Sequence, residues 1–92
     1  MKSALPLPHP QVLFTEIDDG SGVLLHLDTK FYFTLNPTGA LVWKALAARS
    51  ADSVEALGAM IAARFRVDAA TAARDAEALL AELAEGGLVE LR

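Results

Sequence analysis

Cysteine is absent from this 92-residue chain. That excludes disulfide staples, thiolate zinc sites and cysteine nucleophiles, and it suits a cytoplasmic protein. Histidine is scarce. His9 and His26 lie in different segments, and neither has a second histidine at metal-ligand spacing; the ordinary reading is a surface or strand-face histidine. Cations are outnumbered, 8 Lys and Arg against 12 Asp and Glu, which argues against general affinity for nucleic acid, since that needs surplus positive charge. No apolar run reaches the roughly 18–20 residues that span a bilayer, so no membrane association is expected. The opening MKSALPLPHPQ holds three of the four prolines and no continuous apolar stretch, so it does not read as a secretory signal.

What the chain does have is apolar bulk: 53% hydrophobic residues, with 18 Ala and 15 Leu. Disordered tails are poor in such residues and rich in charge. A chain of this length can bury about 60–65% of its unfolded surface, enough for one modest core. Residues 1–10 read as a mobile, proline-stiffened tail that either stays free or crosses to a partner subunit. Residues 11–92 read as a single domain.

Three strands are expected first. QVLFTEI meets a turn at Asp18-Asp19-Gly20-Ser21-Gly22. GVLLHLD puts Val23, Leu25 and Leu27 on one face and Leu24 and His26 on the other. After the reversal at Asp28-Thr29, KFYFTL alternates Phe31, Phe33 and Leu35 against Lys30, Tyr32 and Thr34. Period-two patterning with turn signals between the runs predicts an antiparallel meander.

Three helices should follow. Asn36-Pro37 starts the first, because Asn satisfies orphan amides and Pro at the first helical position loses nothing by lacking one; it should run to about Ala48. Asp52 with Glu55 resembles a capping box for the second, with Leu57, Met60, Ile61 and Phe65 inward. Asp68 caps a third over 69–85, which Gly86-Gly87 ends. Its apolar stripe is Ala72, Ala76, Leu79, Leu80 and Leu83. Leu88–Leu91 is a short last strand or an extended tail. Strands followed by helices give an α+β fold: a three-stranded antiparallel sheet and a three-helix bundle, winged helix-turn-helix-like.

Chemistry is sparse. Asp75 and Glu82 lie seven apart on one helix face, a candidate acid/base or metal pair, but a solvated acidic face is the ordinary reading. No G-x-S-x-G, S-x-x-K or phosphate-loop pattern is present. An enzyme is therefore not expected, nor a cofactor or a metal. In a helix-turn-helix the last helix enters the DNA groove; here it carries Arg74 against Asp68, Asp75, Glu77, Glu82 and Glu85. That charge repels phosphate. Peptide recognition remains. KFYFTL sits at a sheet edge, and an edge is either blunted or used to add a strand. Against this stands the reading that Phe31 and Phe33 are plain core and that the N-terminal segment covers the edge. A homodimer also stays open.

The run LDTKFYFTLNPTGALVWKAL resembles the PqqD-like family: a strand ending Leu-Asn, then Pro-Thr-x-Ala and an apolar helix with Trp. SVEALGAMIAARFRVD and DAATAARDAEALLAELAEGGLVE are similar to its later helices, so the resemblance covers residues 11–91. The chain is also similar to the stand-alone leader-binding proteins of lasso-peptide pathways, which share the family's domain. The resemblance implies a RiPP recognition element, a non-catalytic peptide chaperone. Such a domain binds the leader of a ribosomally made precursor as an added strand and presents it to a modifying enzyme, such as a radical-SAM protein in pyrroloquinoline quinone biosynthesis or a lasso-type protease. Carried onto this chain, the implied site is Lys30, Phe31, Tyr32, Phe33, Thr34 and Leu35 on the strand. On the helix it is Arg74, Asp75, Ala78, Leu79 and Glu82, with Asp75 matching a family-typical Asp. A winged-helix-like nucleic-acid binder or a structural dimerisation protein is the alternative.

Overall fold

The computed structural model describes residues 5–90. Its elements run β1 (Leu7–Pro8), β2 (Val12–Glu16), β3 (Gly22–His26), β4 (Tyr32–Leu35), α1 (Pro37–Ala48), α2 (Val54–Phe65), α3 (Ala69–Glu85) and β5 (Val89–Glu90). The meander expected from the sequence is the antiparallel sheet β2-β3-β4. The α+β order, strands then three helices, is the one the sequence predicts.

Local chemistry explains the boundaries. The Asn36 side chain accepts the Gly39 amide, and Pro37 opens α1. Asp68 does the same for α3, accepting from Thr71. Gly87, at φ 73°, takes the left-handed turn that ends α3. Helix α2 departs from expectation. Ser53 rather than Asp52 is its cap, accepting from the Ala56 amide at 3.0 Å. Two adjacent cap-competent residues compete there, and the one whose oxygen reaches the third amide onward wins.

The core is contiguous. Leu24 from β3, Leu46 from α1, Leu57 and Ile61 from α2, Leu83 from α3 and Leu88 after it are among the fully buried side chains. Each contributes about 1.5–3 kcal/mol of apolar burial. On β3 the face toward the helices is that of Leu24 and His26, while Val23 and Leu25 are half-buried on the other side.

Residues 5–10, the described part of the stretch read as a mobile tail, lie against the rest of the chain. Residues 1–4 lie outside the described residues, as does Leu91. Leu7 and Pro8 pair antiparallel with Glu90 and Val89, forming a separate two-stranded ladder. The His9 amide donates to the Leu88 carbonyl at 2.9 Å, Pro6 is buried and Leu5 packs on the core. Proline's fixed φ suits an extended edge segment, and β5 supplies a ladder that local sequence does not reveal.

Candidate functional site

Strand β4 is the outer strand of its sheet, paired only with β3 among the described residues. The N-terminal segment, which could have covered it, pairs instead with β5. Parity decides which backbone groups of β4 are free. The His26 amide donates to the Phe31 carbonyl at 3.0 Å, and the pairing runs Leu25↔Tyr32, Leu24↔Phe33, Val23↔Thr34 and Gly22↔Leu35. In an antiparallel pair, bonded and non-bonded positions alternate. Phe33 and Leu35 therefore turn their amides and carbonyls toward β3. Tyr32 and Thr34 turn theirs outward, to the open edge.

Beside that edge runs a groove of about 380 Å³ between β4 and α3. Phe33, Leu35, Val42, Ala76 and Leu79 supply its apolar surface, and Asp75 and Glu82 its charge; the first turn of α1 lines it through Asn36, Thr38 and Gly39. A more open hollow continues it, sharing Phe33 and Glu82 and adding Thr29, Phe31, Glu85 and Gly86. The two linings fix the helix direction: Phe31 lies by Gly86, Phe33 by Glu82, and the end of β4 by Asp75 and Leu79. Helix α3 thus runs antiparallel to β4. Among the described residues no Lys or Arg lines either hollow.

The structure brings most of the sequence-derived residues together and sets others apart. Phe33, Thr34, Leu35, Asp75, Ala78, Leu79 and Glu82 share the groove, and Phe31 lines its continuation, 44% exposed. Leu35 is also a core residue, 3% exposed. Tyr32 contributes backbone, its ring lying on the opposite sheet face and 66% exposed. Lys30 precedes the strand in a left-handed turn at φ 63°, its amide donating to the His26 carbonyl. Arg74 is exposed and lines neither hollow. Sequence reasoning missed Asn36, Thr38, Gly39, Val42 and Ala76. The signal was the absence of any linker between β4 and α1, which forces the first helical turn to the strand's end. It also missed Glu85, ten residues beyond Asp75 and three beyond Glu82, and so on the same helix face.

His9 and His26, distant in sequence, meet with ring centroids 4.6 Å apart. Nδ1 of His9 accepts from the Gln11 amide, and Nδ1 of buried His26 accepts from the amides of Asp28 and Thr29. Both rings serve the local backbone. Among the described residues no group of three or more His, Asp or Glu is placed to hold a metal ion, and none of the helices is long and apolar enough to cross a membrane.

An unpaired strand edge over a concave, partly apolar flank defines a domain equipped to accept an extended chain. The chain belongs to the PqqD family: the family model for coenzyme PQQ synthesis protein D (PqqD) matches residues 21–89. Two solved structures are similar over nearly its whole length. One is TbiB1 in complex with the TbiA(beta) leader peptide, 34% identical with a TM-score of 0.77, covering 91% of this chain and 94% of that one. The other is lasso peptide synthetase B1 complexed with the leader peptide, 28% identical with a TM-score of 0.79, covering 94% and 98%. No curated protein matches the chain significantly.

Proposed function

We propose that this protein is a RiPP recognition element. It binds the leader segment of a ribosomally made precursor peptide as an added strand on β4 and presents the precursor to a modifying enzyme. The observation that carries this reading is the open β4 edge, with the Tyr32 and Thr34 backbone groups unpaired beside the α3 groove. The two similar solved chains, each complexed with a leader peptide, support it. The role is binding without catalysis, exercised in the cytoplasm where precursors are made, by residues 11–92 acting as one domain with the β1 segment clasped to them. The implied contacts are the β4 edge from Phe31 to Leu35 and the α3 face of Asp75, Ala78, Leu79 and Glu82. Ordering a flexible leader costs conformational entropy, so an isolated domain binds with modest affinity.

The test is a titration of the isotopically labelled chain with its precursor's leader peptide, read by amide shifts and hydrogen exchange. The Tyr32 and Thr34 amides should shift and gain protection. Saturable binding that leaves both amides unprotected would place the peptide elsewhere.

A further inference from the structure

The groove has a charge pattern as well as a shape. Asp75, Glu82 and Glu85 share one face of α3, and among the described residues the linings contain no cation to neutralise them. At 1.5 Å per residue, Glu82 lies about 10.5 Å and Glu85 about 15 Å from Asp75 along the helix axis. Their midpoint is about 13 Å away. Leu79 stands between them, about 6 Å from Asp75, with Val42 and Ala76 in the same apolar stretch.

An extended guest advances about 3.3 Å per residue, and alternate side chains face one side. Its groove-facing side chains therefore recur about every 6.6 Å. A residue opposite Asp75 is followed two positions later by one opposite Leu79, and four positions later by one between Glu82 and Glu85. Helix and strand keep step. Phe31 to Leu35 spans about 13 Å of β4, and it faces the α3 stretch from Gly86 back to Asp75, about 16 Å long.

We infer that the groove selects extended peptides reading basic-x-apolar-x-basic. The two Lys or Arg side chains would pair with Asp75 and with the Glu82/Glu85 couple, and the apolar side chain would seat on Leu79. This specificity rests on the strand-addition reading above and adds to it the chemistry of the guest. The three acids are exposed, so each pair is screened and worth roughly a two- to fivefold gain in affinity. Together they give about tenfold at low salt, shrinking as salt rises.

The test is selection of a displayed library of random nine-residue peptides on the immobilised full chain in low salt, run beside Thr34→Pro and the triple variant Asp75→Lys, Glu82→Lys, Glu85→Lys. Circular dichroism reads whether each variant is folded. The inference expects enriched peptides with Lys or Arg four positions apart around an apolar residue. It also expects loss of those binders on Thr34→Pro and a switch to Asp or Glu at the same two positions on the triple variant. Enriched peptides that depend on Thr34 but show no basic pair overturn the charge rule and leave strand addition standing. Peptides indifferent to Thr34→Pro, or no enrichment above that variant, overturn the underlying reading instead. Should the triple variant unfold, the single changes Asp75→Asn and Glu82→Gln read the same rule, each relaxing the basic preference at its own position.

Discussion

At the scale of single residues, Thr34 is the position where the proposed binding can be tested apart from folding. Its amide faces the open edge, so proline there removes a donor that β3 does not use. Thr34→Pro should keep the thermal midpoint within a few degrees while lowering leader affinity at least tenfold, measured by calorimetric titration. A variant that binds as wild type would remove β4 from the site. Asp68 gives a pH signature. The Thr71 amide, and after it the Thr71 hydroxyl, donate to its carboxylate and hold its pKa below the ordinary 3.8, with Arg74 adding a smaller pull. A carboxyl whose folded value is depressed stabilises fully above its unfolded value and loses that contribution as acid carries the pH down through the folded one. Asp68→Asn should therefore flatten the melting profile below about pH 4 and lower it above. An unchanged acid limb would show that the cap contributes nothing through its charge. Lys30 and Arg74 show where residue-level reading stops. Both adjoin the segments named from the sequence, but the Lys30 backbone forms a tight turn ahead of β4 and Arg74 lines neither hollow.

At the scale of elements, the contact of α2 with α3 depends on a missing side chain. A Cβ on Gly58 would stand 2.7 Å from the Ala69 carbonyl oxygen and 2.8 Å from the Ala73 Cβ. Those atoms belong to backbone and to a methyl that cannot swing aside. Gly58→Ala should cost about 1–3 kcal/mol as overpacking, despite alanine's better helix propensity, and chemical denaturation would measure it. A stabilised variant would mean the helices can slide apart freely. Loss of the Ser53 cap should cost about 1 kcal/mol in Ser53→Ala by the same assay. Helix α3 was legible from the sequence down to its end residues, because Asp68 and Gly86-Gly87 act locally and its stripe has a clear period. Its groove face was not. Leu79 sits at the margin of the apolar stripe, half-buried, and a single sequence does not say whether a margin residue faces core or cleft. Strand β3 has the same difficulty, since apolar residues occupy both of its faces and alternation alone does not choose between them.

For the whole molecule, the fold class and the edge position of β4 follow from the order of patterned segments, and the family resemblance covers the same ground. The clasp of β1 on β5 does not follow, because a Leu-Pro pair in a proline-rich stretch carries no periodicity and its partner lies some eighty positions away. It has a measurable consequence. Deleting residues 1–8 strips a short ladder, with each hydrogen bond worth roughly 1 kcal/mol, and uncovers apolar surface beneath Leu5 and Pro6. The truncated protein should unfold at lower denaturant by about 2–3 kcal/mol yet keep its leader affinity, since neither Leu7 nor Pro8 lines the groove or its continuation. Lost affinity with retained fold would assign the segment to the site.

That clasp also sets how the domain can be wired into larger assemblies. Its entry and exit strands lie side by side, about 4.8 Å apart, so a host protein can carry it as a cassette inserted into one of its own surface loops without prising the loop open. A re-circularised gene, with the old ends joined and new ones cut elsewhere, should fold for the same reason.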